Sequence, residues 1–474
     1  WPLLPCELGL ADRLRALERA ETPEARDAAA LDVLRAHPFV EAKGRRGGEP
    51  GMDFGGSLGV CTEEHFRMQL GAFHRWLKQP EGRRFAKEAG GPSDDGLYTL
   101  SAVLRRCMPR GLSRFTFACA PGEEIIVRGF RKFTGLTVED EDEESGATSK
   151  YQDFYYTPGQ EAASFTVTTK SNGENGKFTV RSIGGRLLLF AGSKNTCLAW
   201  GEDQDVAAMH PQEDDSIPGP IIAAQVQRIW RGWDEVVRTR FAEQVASGRW
   251  TLMLEINCAN HEHVFPIAQD FVDFVAVLDR EGLPLPQRQA FAFFDEFHLP
   301  RVRCEPDLPA AMLPERLAAE RAVCCREGAV LYLEAADGSP MGLLKVKSDF
   351  YVRTRRTRQT FWGAIVDPLL RGEDLDGPSK PRKGKRRGAG IGWHAAEERL
   401  HKGMRELKHV QGCAESWQEW SEVAKGFVRW WRAAHEALGS PEMRREHAKA
   451  AKNKFGSTYR DYCRERGLPG GDNS

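Results

Sequence analysis

Thr168-Thr169-Lys170-Ser171-Asn172-Gly173-Glu174-Asn175-Gly176 is the stretch on which the reading of this chain turns. Residues 164 to 169 before it are rich in β-branched and aromatic side chains, the composition of a strand. The residues after Lys170 are small, polar and glycine-bearing, the composition of a turn, and residues 176 to 182 read as strand again. A lysine therefore ends one strand and opens a turn whose glycines let backbone approach a ligand closely. Such a lysine is ordinarily a solvated residue, and it becomes a nucleophile only where desolvation or neighbouring cations lower its pKa.

Working outward, residues 115–119 and 124–127 read as strands around Pro121-Gly122, and 186–191, 250–257 and 329–334 are further strands. Residues 8–34, 63–88, 220–247 and 267–279 read as helical, and helix resumes from about 359 to the end. The mixture lacks regular strand–helix–strand alternation, so the fold class is α+β.

The 474 residues predict several domains, and no apolar run of about 18 residues is present, so no membrane partner is expected. The net charge of −1 is the sum of unlike parts: from Lys345 onward 28 Lys and Arg face 17 Asp and Glu, a balance of +11, which leaves −12 for the rest. A basic C-terminal quarter on an acidic body points toward nucleic acid. The eleven cysteines form no Cys-x-x-Cys pair, which reads as reduced intracellular thiols, nucleus or cytoplasm left open. His261 and His263 are a lone pair, below the ligand count of a metal site by themselves. The chain opens on Trp1, so a fragment or a processed form is expected.

Further segments fall in a definite order around Lys170. Upstream stand Pro109-Arg110-Gly111-Leu112 and Val127-Arg128-Gly129-Phe130-Arg131-Lys132-Phe133. Downstream stand Ser193-Lys194-Asn195-Thr196, Leu254-Glu255-Ile256-Asn257 with His261 to Val264, Glu327-Gly328-Ala329-Val330, and Lys345-Val346-Lys347-Ser348-Asp349-Phe350-Tyr351. Each has an ordinary reading. Glu255 in an apolar strand needs a partner and a structural salt bridge would serve; Glu327-Gly328 could simply open a turn; Lys345 and Lys347 could be the polar face of a half-exposed strand.

Taken together in this order, the segments resemble the motifs of the covalent nucleotidyltransferases, the superfamily of ATP-dependent ligases and capping enzymes, over residues 105 to 360. The usual first motif is Lys-x-Asp-Gly, and the Asn172 form resembles the ligase domain of fungal and plant tRNA ligases, relatives of phage-type RNA ligase 1. The resemblance implies a nucleotidyltransferase core of ATP-grasp-like antiparallel sheets with flanking helices (101–358), after a helix-rich N-terminal extension (1–100). An all-α C-terminal domain (359–474) would follow, with a basic linker at 377–390. An OB-fold, usual in DNA ligases and capping enzymes, is not legible there.

By resemblance Lys170 is the residue that takes AMP from ATP. Arg110, Lys132, Asn172, Gly173, Glu255, Lys345 and Lys347 would bind the nucleotide, Glu255 at the ribose and the two lysines at the α-phosphate, where they would also lower the pKa of Lys170. Lys345 and Lys347 alternate with Val346, so a strand presents both on one face. Glu327 would hold Mg²⁺ or Mn²⁺. Lys194, Arg353, Arg355, Arg356, Lys383, Lys385, Arg386 and Arg387 would contact RNA phosphates. The implied reaction joins a 5′-phosphate and a 3′-hydroxyl of RNA through lysyl-AMP and RNA-adenylate, in tRNA splicing or RNA repair. The alternatives are a capping guanylyltransferase, a DNA ligase, or an RNA-binding protein without catalysis. No Gly-x-x-x-x-Gly-Lys-[Ser/Thr] loop and no His-x-Ser/Thr pair occurs, so end-healing kinase and phosphodiesterase are expected in trans. A monomer is expected. The Trp-rich C-terminal helices read mainly as helix core, and residues 380–387 as linker, localisation signal or RNA contact.

Overall fold

The computed structural model describes residues 2–46, 49, 51–54, 58–136, 151–157, 159–211, 218–373, 375, 393–409 and 413–471. Fourteen strands occur among them: β1 (Val40–Arg45), β2 (Cys61–Met68), β3 (Leu112–Phe117), β4 (Glu124–Arg128), β5 (Thr134–Gly135), β6 (Ser164–Thr169), β7 (Glu174–Ile183), β8 (Arg186–Ser193), β9 (Cys197–Gly201), β10 (Thr251–Asn257), β11 (Phe271–Leu278), β12 (Cys304–Pro309), β13 (Gly328–Glu334) and β14 (Pro340–Lys347). They make three sheets, ordered β1-β2-β3-β4, β11-β10-β7-β8-β9 and β12-β6-β13-β14-β5. All pairings are antiparallel except that of β14 with β5. Helices and antiparallel sheets are thus mixed, in keeping with the α+β expectation.

The first sheet stacks on the second. Phe115, Phe117 and Val127 of one bury against Leu188, Phe190 and Ala199 of the other, and the Phe115 and Phe190 rings lie 5.0 Å apart. A side chain the size of Phe190, with no exposed surface, contributes about 2–3 kcal/mol by leaving water. The other face of the second sheet carries the helices Pro218–Gly232, Glu235–Ser247 and Gln287–Glu296, whose Trp230, Phe241 and Phe293 pack on Phe178 and Leu252. The third sheet lays Val167, Leu331 and Val346 over Leu317 of the helix Leu313–Ala322.

The chain passes from the third sheet to the second at residues 170–173, between β6 and β7. The turn predicted around Lys170 therefore bridges two sheets, which is what leaves a cleft there.

Among the described residues from Trp393 to Arg466 every regular element is helical. Leu400, Phe427, Trp431, Phe455 and Tyr459 form their core, with Trp393 buried and Trp417, Trp420 and Trp430 packed at its edge. Trp393 and Trp431 are helix core, and Trp417 and Trp420, expected on the same face as Trp431, are part-buried against it. Among the described residues no helix is long and apolar enough to cross a membrane.

Two predicted helices are corrected. Residues 61–68 are strand β2, with Cys61, Glu63 and His65 buried on alternate positions; pairing on both sides with β1 and β3 overrides the helix propensity of its glutamates. Residues 271–278 are strand β11, an apolar run whose period cannot tell buried strand from buried helix. The expected division at 100/101 falls within the first sheet, since β2 pairs with β3. The division at 358/359 falls within the helix Asp349–Phe361. The linker 377–390 and the acidic run 139–144 lie outside the described residues.

Candidate active site

Lys170 follows the last residue of β6, and its backbone N–H donates to Gly328 O at 3.0 Å, just where β13 begins beside β6. That contact brings Glu327 to the lysine: Lys170 Nζ is 3.0 Å from Glu327 Oε1 and 3.8 Å from Glu255 Oε1. Gly328 has φ 140°, and a Cβ there would stand 2.0 Å from Val346 O, so only glycine lets β13 start this close to β14.

Glu255 arrives from the other sheet. It lies in the middle of β10, opposite Asn175 of β7 and Asp273 of β11. Burial pushes its carboxyl up to about 8, against the opposing pull of Lys170 and with the help of Glu327.

The three residues after the lysine are each held by β10 or the chain that follows it. Asn257 Nδ2 donates to Ser171 Oγ at 2.9 Å. The Asn172 side-chain oxygen, turned toward the backbone N–H groups of Val264 and Phe265, lies 3.2 Å from each. Gly173 N–H donates to Glu255 Oε1 at 3.0 Å, and a Cβ on Gly173 would come within 2.2 Å of Ile256 O. The turn is preorganised, and an amide accepts two backbone N–H bonds there without bringing a charge.

The cleft above this turn has a volume of about 380 Å³, within the range of small-molecule sites. Phe130, Phe133, Val275, Val330 and Tyr332 give it apolar walls, and Arg110, Lys194, Lys345, Arg355 and Arg358 give it cations. Arg355 and Arg358 come from the helix Asp349–Phe361, which Ser348 caps by accepting from Tyr351 N–H at 3.1 Å. Tyr351, Arg355 and Arg358 lie four and three residues apart, one helical face, and all three line the cleft. Burial lowers the pKa of Arg358 below its ordinary value.

Of the residues singled out from sequence, Lys170, Gly173, Glu255, Glu327, Lys345, Arg110, Lys194 and Arg355 line this one cleft. Lys194 is also ion-paired with Asp94. The remaining ones are placed elsewhere. Asn172 is buried beneath the turn. Lys132 is buried and ion-paired with Asp95. Lys347 is fully buried, its ammonium 5.7 Å from the Tyr351 ring centre. Arg353 lies over the Trp420 ring at 4.8 Å, and Arg356 sits part-buried on the same helix. Lys383, Lys385, Arg386 and Arg387 lie outside the described residues.

Sequence reasoning missed Arg358, Glu174, Asn175, Ser193, Tyr332 and Tyr351 and gave His263 no part, yet all line the cleft. The helical spacing of Tyr351, Arg355 and Arg358 was a usable signal.

No family model and no curated protein matches the chain. Among solved structures it is similar to two forms of an archaeal ATP-dependent RNA ligase. One has a TM-score of 0.37 and 14% identity over 71% of this chain and 76% of that one; the other has a TM-score of 0.34 and 13% identity over 75% and 70%. It is also similar to an RNA ligase of Naegleria gruberi determined with ATP and Mn, at TM-score 0.29 and 13% identity over 42% and 52%.

Proposed function

We propose that this chain is an ATP-dependent RNA ligase in which Lys170 is the nucleophile. One juxtaposition carries the reading. The amine of Lys170 lies within 4 Å of two carboxylates that come from different sheets, Glu255 and Glu327. Arg110, Lys194, Lys345, Arg355 and Arg358 bring cations to the cleft it faces. That arrangement suits an attack by nitrogen on a phosphate: the cations oppose the charge that gathers on the non-bridging oxygens.

Once the Lys170 ammonium has released a proton to solvent, its nitrogen would bond to the α-phosphorus of ATP as the bond to the bridging oxygen breaks and pyrophosphate leaves. The lysyl-AMP would then pass AMP to a 5′-phosphate of RNA, and a 3′-hydroxyl would displace it. Lys345 and Arg110 would hold phosphate, and Glu255 the ribose. Glu327, whose carboxylate oxygen stands 3.0 Å from the Lys170 amine, is the residue that would hold Mg²⁺ or Mn²⁺. The ion would neutralise phosphate charge. Arg355 and Arg358 would face the RNA ends. If those ends come from cleavage that leaves them unready, a kinase and a phosphodiesterase would act on them in trans, as in tRNA splicing or RNA repair.

The test is incubation with α-labelled ATP followed by denaturing electrophoresis. Label should stay on the wild-type chain and be absent from Lys170→Ala. An unlabelled wild type, or label that persists in the variant, overturns the reading; label from GTP alone would make it a capping-type transferase. Sealing of nicked DNA but not RNA would make it a DNA ligase.

A further inference from the structure

His261, Glu262 and His263 follow β10 in a bend, with Glu262 bridged to Lys454. Glu262 turns toward the C-terminal helices. Its carboxylate accepts from Ser457 N–H at 2.6 Å, Ser457 Oγ at 2.7 Å and Ile267 N–H at 3.1 Å, and its own N–H donates to Asn453 O at 2.8 Å. With Glu262 clamped, the two imidazoles are left facing the start of β7. There Glu174 sits opposite Ile256 in the β7–β10 ladder, and Glu174 Oε1 is 3.1 Å from His263 Nε2. One ligand atom each from Glu174, His261 and His263 lies within 4.8 Å of the other two.

We propose that Glu174, His261 and His263 form a binding site for a first-row transition-metal ion, Zn²⁺ by preference, at the rim of the Lys170 cleft and separate from Glu327. Two imidazoles and one carboxylate suit Zn²⁺ and its neighbours, whereas Mg²⁺ takes oxygen ligands and is reluctant to shed water. Ligands about 2.1 Å from a tetrahedral ion stand roughly 3.4 Å apart. Glu174 Oε1 and His263 Nε2 already stand 3.1 Å apart, and the remaining approach, from within 4.8 Å, is a rotamer adjustment open to the exposed His261. Three protein ligands leave a fourth position open to water or to a ligand in the cleft, which Glu174 and His263 both line. An ion there would join the turn after Lys170 to the loop after β10. The site stands on its ligands and does not rest on the nucleotidyl-transfer reading.

The untagged full chain, stripped with chelator, should be titrated with Co²⁺ and then Zn²⁺. The expected result is uptake of one Co²⁺ with visible d–d bands of nitrogen–oxygen ligation, displaced by Zn²⁺ and indifferent to excess Mg²⁺. His261→Ala and, separately, Glu174→Gln should each weaken uptake by more than about tenfold. Absence of uptake, the same affinity in both variants, thiolate charge-transfer bands from the free cysteines, or displacement by Mg²⁺ would each overturn the site.

Discussion

At Glu255 the sequence poses a question that only the surroundings answer. A carboxylate among Leu254 and Ile256 needs a partner, and here it has three: the Gly173 N–H, the Lys170 ammonium and a raised affinity for its own proton. Its carboxyl titrates near 4.5 when unperturbed and is pushed up to about 8 by burial in the fold. Folding then keeps a proton that the unfolded chain releases, so this contribution to stability is whole below about 4.5 and is lost as pH rises through about 8. Glu255→Gln, neutral throughout, should remove that slope. In the protein free of nucleotide and metal, its melting temperature relative to wild type should climb between about pH 4.5 and about 8. A flat difference would mean that Glu255 is not held in this way. Asn172 makes the complementary point. The sequence marks it as a departure from Lys-x-Asp-Gly, and its place explains why an amide serves: it holds two backbone N–H groups beneath the turn.

Elements whose pattern is local were legible. The stretches at 164–169 and 186–191 carry β-branched or apolar residues between turn signals, and the structure has strands Ser164–Thr169 and Arg186–Ser193 there. Elements whose state depends on remote partners were not. Phe271–Leu278 is apolar nearly throughout, and pairing with β10 makes it strand. Glu63 and His65 in β2 are buried, and Arg45 from β1 is the ion partner of Glu63, a contact no local pattern announces. The helix Asp349–Phe361 depends on its cap. Ser348 Oγ accepts from Tyr351 N–H at 3.1 Å and donates to Arg326 O at 2.6 Å, tying the helix start to the segment that carries Glu327. Ser348→Ala should cost about 1–2 kcal/mol, seen as a lower denaturant midpoint at constant m. On the proposed reading, in which Arg355 and Arg358 face RNA, RNA affinity should fall with it. An unchanged midpoint would show that the cap adds nothing.

Across the whole molecule, the C-terminal helices are joined to the body near the cleft, and Glu262 is one clasp. Replacing it by Ala would strand the Ser457 N–H and hydroxyl and the Ile267 N–H, at roughly 2–3 kcal/mol. Hydrogen exchange of Glu262→Ala should then quicken in the helix Phe455–Arg466 and around residue 267 together. Loosening of only one of the two would show that Glu262 does not couple them. The charge balance of +11 from Lys345 onward is likewise divided by the fold: Lys345, Arg355 and Arg358 line the cleft, while Arg353 is spent on Trp420.

By itself the sequence determined the α+β class, the strand–turn setting of Lys170, the helical C-terminal region and the order of the segments around the lysine. These rest on composition and period, which act over a few residues. Which cations face the cleft was decided by tertiary structure alone. Lys345 and Lys347 share a strand and a face by period, yet Lys345 lines the cleft and Lys347 lies fully buried against Tyr351. The helix that follows β14 lays the Tyr351 ring beside the Lys347 ammonium, and its course depends on contacts far along the chain, from Ser348 on Arg326 to Phe350 beside Phe265.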